Sequence, residues 1–309
     1  MPVAARILAD SIGPNEARIT TFEIVVPRII LAEFNTHRLF SRNSASSRAI
    51  PVQTMIEKVR NDPFIPFYWG KNQKGMQADQ ELTEQEKTAA ASEWLLARDQ
   101  ALDRSNALRE IGVHKQITNR LLEPFLWHTI IFTATEMSNY IALRTDRMAA
   151  PEIRSGSELI MDLYEDSKPM ELQDGEWHLP LVMHIDMKLG VDGKRWAIGD
   201  TSVDTNEVDW LHWARISAAR CARISYLTHD GRRDLEEDTK KCADLISNGH
   251  MSPLEHPAMA LTASQWKAMA NAMAVEWVER RVPVGNFWGW QQFRKTLTNE
   301  HDFSKIKKG

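Results

Sequence analysis

The chain has 309 residues, of which 43% are apolar, enough for a sizeable core in one large domain or two small ones. A formal net charge of −4 argues against a general nucleic-acid binder, and two cysteines (Cys221, Cys242) are too few for a disulfide framework and suit a reducing cytosol. The N-terminus MPVAARILADSIG lacks the apolar core of a signal peptide, and no apolar run approaches a membrane span; the expected location is cytoplasmic.

Along the chain, ARITTFEIVVPRII (17–30) alternates: Phe22, Ile24 and Val26 share one side, with Thr21, Glu23 and Val25 opposite, as in a half-buried strand that Pro27 ends. Ile29 to Phe40 reads as a short helix carrying His37 and Arg38, and Pro51 to Arg60 as a further helical turn or two. Residues 61–79 hold Pro63, Pro66, Gly70 and Gly75 and read as a loop, but Phe64, Phe67, Tyr68 and Trp69 require it to pack on something. Thr83 and Glu86 form a capping box for a long helix that Gly112 closes. A short helix over 113–123, a buried strand over 125–135 and helices over 136–144 and 152–166 follow. Residues 170–208 read as an inserted β-meander with Asp-Gly turns. Helices are expected over 210–225, 234–247 and 265–280, a short strand over 256–262, and an aromatic tail over 283–296. The fold class expected is α+β, a mixed or antiparallel sheet with helices, in a single domain spanning 1–309.

The chemistry concentrates in EFNTHRLFSRNSASSRAIP. Arg28, Arg38, Arg42 and Arg48, with His37, Thr36, Ser41, Ser44, Ser46 and Ser47, fall within about twenty positions, against one carboxylate, Glu33. Guanidinium forks with neighbouring hydroxyls suit an anion, and a phosphate ester above all. The plain alternative is a solvated basic loop. The segment follows an apolar strand and is poor in Lys, which favours a ligand.

His37-Arg38, seven residues and Ser46, with Arg48 two places on, resembles the signature of the flavin-dependent thymidylate synthases (the ThyX family); Thr36 stands where the family has a first Arg. TNRLLEPF and NYIALRTDRMAAPEI resemble a second family segment. By that likeness Arg120 and Arg144 hold the uridylate and Asn139 faces the flavin; Met148 stands where a His is frequent. AARCARISYLTHDG and NGHMSPLEHPAMAL resemble the family's N-terminal block, which implies flavin contacts from Ser225 and His256. That block follows the motif by about 170 positions instead of preceding it, an order that a circular permutation explains. WQQFRKT (290–296) repeats the motif run weakly. The resemblance thus extends to a site split between His37, Arg38 and Asn43 from the first copy and Gln291 and Arg294 from the second, all on the cofactor side; the alternative is that FWGWQQFR is an aromatic packing helix.

On this resemblance Ser46, Arg48, Arg120 and Arg144 bind dUMP, and Arg144 is also catalytic, stabilising enolate-like charge as C5 attacks. FAD, NADPH and 5,10-methylenetetrahydrofolate are the implied cofactors, and a homotetramer of a permuted, virus-like member is the implied assembly, in the host cytoplasm if viral. Cys221 and Cys242 read as buried structural thiols. Ser46 lacks a His–Asp partner for nucleophilic work, and His256 has a core histidine as its alternative. His250, Glu255 and His256 fit neither zinc spacing, so no metal is expected, and no glycine-rich dinucleotide motif is present. The product expected is dTMP. One rival is a flavin-dependent hydroxymethylase making 5-hydroxymethyl-dUMP; another is a non-catalytic nucleotide-binding module. Neither nucleic acid nor membrane is an expected partner.

Overall fold

A computed structural model describes residues 3–182, 187–189, 195–197, 209–231, 233–268, 285–298 and 300. The N-terminal hairpin pairs β1 (Ala4–Ile12) with β2 (Arg18–Pro27). After a single helical turn, α1 (Leu31–Phe34), comes the short strand β3 (Ser41–Ser44), then α2 (Val52–Asn61) and the long α3 (Glu84–Glu110). The turn α4 (Lys115–Thr118) and a 3-10 stretch, Asn119–Phe125, lead into β4 (Trp127–Ala134), followed by α5 (Ser138–Arg144) and α6 (Pro151–Asp166). Four short strands come next: β5 (Met170–Glu171), β6 (Trp177–His178), β7 (Met187–Leu189) and β8 (Arg195–Ala197). The chain then forms α7 (Trp210–Ala222), α8 (Leu235–Ser247), β9 (Ala258–Ala260) and β10 (Trp290–Gln292).

The architecture is α+β. A mixed five-stranded sheet runs β3-β4-β2-β1-β5, antiparallel except for the parallel β1–β5 pair, and a smaller antiparallel sheet runs β10-β9-β6. One face of the large sheet carries Phe22, Ile24, Val26, Ile130 and Phe132, and packs against Phe34, Phe40, Tyr140, Ile153 and Ile160. Gly156 is the closest approach of α6 to that face: a Cβ there would stand 2.9 Å from Ile24 Cδ1 and 3.0 Å from Val26 Cγ1.

The opposite face is also covered, so β2 is not the half-buried strand its alternation suggests. Ile19 joins Trp290, Phe287 and Leu172 in a second apolar cluster, and Thr21 is fully buried. The small sheet and α7 lie over this face, and a polar residue in a strand becomes interior when a second layer brings it partners.

The 61–79 loop packs as its aromatics require. Phe64 is fully buried and meets Phe67, Trp94 and Trp127 edge to face, while Trp94 Nε1 donates to the Phe64 carbonyl at 2.8 Å. The capping box at Thr83 and Glu86 forms, and Gly112 ends the long helix region with φ +89°.

Two expectations are corrected. Among the described residues, 170–208 do not pair as one meander: β5 extends the edge of the large sheet, β6 joins the small sheet beside β9, and β7 and β8 pair with each other. Short strands gain more from an existing sheet edge than from an isolated hairpin. His37 and Arg38 do not sit on a helix either. Helix α1 stops at Phe34 because its carbonyls find other donors: Thr36 Oγ1 donates to Glu33 O at 2.7 Å, and Arg42 Nη1 donates to His37 O at 2.6 Å and to Asn35 O at 3.3 Å. Of the helix expected over 265–280, the described part is helical over 263–268, and the remainder lies outside the described residues.

Candidate active site

β3 organises the site. Its four residues span roughly 13 Å at about 3.3 Å each, with the His37–Arg38 turn entering at one end and the Ser46–Arg48 turn leaving at the other.

At the entering end, Arg144 from α5 reaches back to the turn. Its Nε donates to His37 Nε2 at 2.9 Å and its Nη2 to Thr36 Oγ1 at 3.2 Å, and its Nη1 is paired with Glu33. Burial, with Arg144 and Arg42 close by, lowers the His37 pKa to about 4. The ring is therefore neutral near pH 7, and with Nε2 accepting, Nδ1 carries its proton as a donor. Tyr140 meets the ring edge-on at 4.8 Å and Phe40 stacks at 5.7 Å, which fixes its plane. Arg38 is exposed, and among the described residues no carboxylate pairs with it; Arg42 is half-buried, its pKa lowered first by burial and then by Arg38. Asn139 is exposed on α5, the helix that carries Arg144.

At the leaving end, the Ser46 amide donates to the Ser225 carbonyl at 3.1 Å, and Asn119 Nδ2 donates to the Ser47 and Ile50 carbonyls at 2.6 and 3.0 Å. Ser47 Oγ donates to Glu123 at 2.6 Å; the same carboxylate accepts from Arg120 at 2.9 Å and Arg28 at 3.4 Å. Arg48 is exposed and, among the described residues, unpaired. This end therefore offers Arg48, half of Arg120's fork and the half-buried Ser46 around a turn whose backbone is pinned from two sides.

Between the ends, Asn43 meets His256. The ring of His256 is fully buried, with Nδ1 2.8 Å from Thr133 Oγ1 and Nε2 3.0 Å from the Asn43 amide. Both ring nitrogens are therefore occupied by Thr133 and Asn43. Ser225 is half-buried, at the end of the 3-10 stretch Arg223–Tyr226 after α7. That turn is tied down by a buried charge cluster: Asp238 accepts from Arg220 Nε at 2.9 Å and from Arg223 Nη2 at 2.6 Å. Thus blocks some 180–210 positions apart in sequence, 43–48 and 225–256, touch directly.

The tail also reaches the motif, through residues the sequence did not single out. Asn286 Nδ2 donates to Leu39 O at 2.7 Å, and Gln292 Nε2 donates to Ser41 Oγ at 2.9 Å and Asn286 Oδ1 at 2.6 Å. Gly285 has φ +85° and leaves no room for a Cβ beside the Gln292 amide. Gln291 lies on the other side of β10, opposite Met259. Arg294 is held by Glu255 at 2.6 Å and Glu300 at 2.9 Å, so its charge is matched where it stands. Strand parity contained the signal: Gln292 shares the inward side of β10 with the fully buried Trp290.

Both thiols are shut away. Burial raises Cys221 well above the thiol range and pushes Cys242 up to about 11. Among the described residues, Glu23, His229 and Asp230 form the one cluster with metal-ligand reach, and Arg6 already pairs with both carboxylates. No helix among the described residues is long and apolar enough to cross a membrane.

Comparison with known proteins agrees with the motif. No curated protein matches the chain in sequence. Among solved structures, the chain is similar to a UMP/dUMP methylase PolB from Streptomyces cacaoi bound with 5-Br dUMP, at 17% identity and a TM-score of 0.41, covering 49% of this chain and 68% of that one. The UMP/dUMP methylase PolB bound with 5-Br UMP gives 14% identity and a TM-score of 0.44, covering 53% and 88%. Residues 11–170, just over half the chain and including the whole His37 to Arg144 region, match the family described as thymidylate synthase complementing protein, and the chain therefore belongs to that family, Thy1 or ThyX.

Proposed function

We propose that this protein transfers a one-carbon unit from 5,10-methylenetetrahydrofolate to C5 of dUMP, with FAD as the redox cofactor and NADPH as reductant, giving dTMP. The observation that carries this reading is the cationic turn system around β3, in a chain of the thymidylate synthase complementing family. Arg38 and Arg48, exposed and among the described residues unpaired, suit with Ser46 and Arg120 the phosphates of a nucleotide and a flavin dinucleotide. The buried thiols support the same reading, since attack by a Cys thiolate at C6 would need an accessible, ionisable sulfur.

The residues divide the work. Ser46, Arg48 and Arg120 bind dUMP and its phosphate. Arg144, oriented by Glu33, Thr36 and His37, directs its guanidinium at the pyrimidine oxygens, where negative charge develops as C5 attacks. His37 offers Nδ1–H, and Arg38 its fork, to the flavin side, with Asn43, Asn139 and Ser225 along the same edge. The reduced flavin supplies the hydride that completes the methyl group. The contacts of 43–48 with 225–256 support a circular permutation, in which the displaced block returns to the motif through space. A homotetramer with shared sites is the assembly this reading expects.

The test is the visible spectrum of the purified protein with added FAD, followed by mass spectrometry of dUMP incubated with the folate donor and NADPH. Flavin bands near one per chain and a methylated product support the reading. A hydroxymethyl product assigns the reaction to the hydroxymethylase branch. A colourless protein that takes up no FAD overturns it.

A further inference from the structure

A chain of hydrogen bonds crosses the large sheet on the face covered by the small one. Ser11 on β1 lies 2.9 Å from His178 Nδ1; His178 Nε2 lies 2.8 Å from Thr21 on β2; Thr21 Oγ1 lies 2.6 Å from Thr133 Oγ1 on β4; Thr133 lies 2.8 Å from His256 Nδ1; and His256 Nε2 lies 3.0 Å from the amide of Asn43 on β3. The order of residues follows the order of strands, β1, β2, β4, β3. Ser11, Thr21, Thr133, His178 and His256 are all at most 1% exposed.

Each internal member has one proton to give and one acceptor to fill. Two hydroxyls and two neutral imidazoles in series satisfy every link only if all donate the same way. Any reversal within the chain sets two protons against each other or leaves two bare acceptors, at a cost of about 1–3 kcal/mol for each unsatisfied buried group. The direction is therefore a single choice for the whole chain.

Asn43 makes that choice. The position of its amide nearest His256 also lies 3.1 Å from the Ser252 carbonyl and 3.2 Å from the Arg42 carbonyl, which only accept. The NH2 must occupy that position, while the amide oxygen accepts from Ser252 Oγ at 3.2 Å. His256 Nε2 is then an acceptor and Nδ1 carries the proton. Nδ1–H donates to Thr133, Thr133 to Thr21, Thr21 to His178 Nε2, and His178 Nδ1–H to Ser11.

We propose that Thr133, Thr21, His178 and Ser11 are positioning residues for the candidate site: they take up the Nδ1 proton that Asn43 leaves on His256, and so hold that ring as a fixed partner of the Asn43 amide in the middle of β3, between the two cationic turns. The part of this that concerns a ligand rests on the flavin reading above.

Histidine-labelled protein gives the test through the ring nitrogen and proton spectra, which distinguish the two neutral forms. The wild-type protein is expected to show His178 and His256 both as single Nδ1–H species; an Nε2–H form on either overturns the proposal before any variant is made. Thr133→Val removes one hydroxyl at constant shape. It frees Thr21 to accept from His178, so His178 should become a mixture of forms while His256 stays fixed by Asn43. Thr133→Ser should restore the single form, and an unchanged His178 in Thr133→Val overturns the coupling. FAD affinity should fall about tenfold in Thr133→Val and recover in Thr133→Ser, the scale of one hydrogen bond. Equal FAD affinity in all three proteins removes the positioning role. Coupled histidines in a protein that takes up no FAD would keep the network and remove the flavin reading instead.

Discussion

Under the proposed function Arg144 is the residue on which the chemistry turns, and its surroundings set what its replacement does. Three groups of the motif turn, Glu33, Thr36 and His37, orient it. Arg144→Lys keeps a charge but loses the planar fork that satisfies all three at once. Turnover should fall by about 10²–10³-fold, the scale seen when a charge-stabilising donor is removed, with little change in the KM for dUMP; steady-state kinetics checks the split. Arg48→Ala should do the reverse, raising KM for dUMP by about tenfold or more through loss of a charge-assisted phosphate contact, with turnover nearly kept. Asp238 behaves differently, because it is fully buried between Arg220 and Arg223. Asp238→Ala should cost about 3–5 kcal/mol in urea unfolding, since it strands buried guanidinium charge.

At the scale of elements, the contact of α6 with β2 has a sign that helix propensity alone gets wrong. Gly156 sits inside a helix, where almost any other residue would be favoured by up to about 1 kcal/mol. The side chains of Ile24 and Val26 occupy the space a Cβ would need. Gly156→Leu should therefore destabilise the protein, by about 2–3 kcal/mol from overpacking, visible as a lower Tm. Elements set by local chemistry were legible in advance: the capping box at Thr83, the Pro27 stop to β2 and the Gly112 end to the α3 region (φ +89°). The motif turn was not. A helix-compatible run, IILAEFNTHRLF, stops after one turn because Thr36 and the distant Arg42 take its carbonyls, and that competition depends on where Arg42 folds.

For the molecule as a whole, pH is the informative variable. His128, His178 and His256 are buried, and burial lowers each pKa to about 3, helped at His128 by Arg28 and at His178 by His256, against the pull of Asp10. The native state holds these rings neutral while the unfolded chain protonates them below about pH 6.5. Unfolding thus takes up about three protons on these rings between pH 6.5 and pH 3, and about one more on His37 between pH 6.5 and pH 4, so their contribution is present above pH 6.5 and is lost as pH falls through that window. Stability measured by urea unfolding at pH 7, 6 and 5 should drop steadily, and His178→Gln should reduce the steepness by about one proton.

By itself the sequence determined the family, and it grouped the candidate site residues. His37, Arg38, Ser46, Arg48, Arg120 and Arg144 are placed by spacing within one contiguous part of the chain, and the strand, caps and glycine stops around them follow from local rules. Tertiary structure decided what lies between those groups. It buried Thr21 on β2 under a second sheet, brought Gln292 and Asn286 to the motif turn, and set His256 between Thr133 and Asn43. The physical reason is common to all three. A buried polar atom keeps its place only with a partner at hydrogen-bond distance, and the partners come from strands far apart in sequence, which spacing along one chain does not encode.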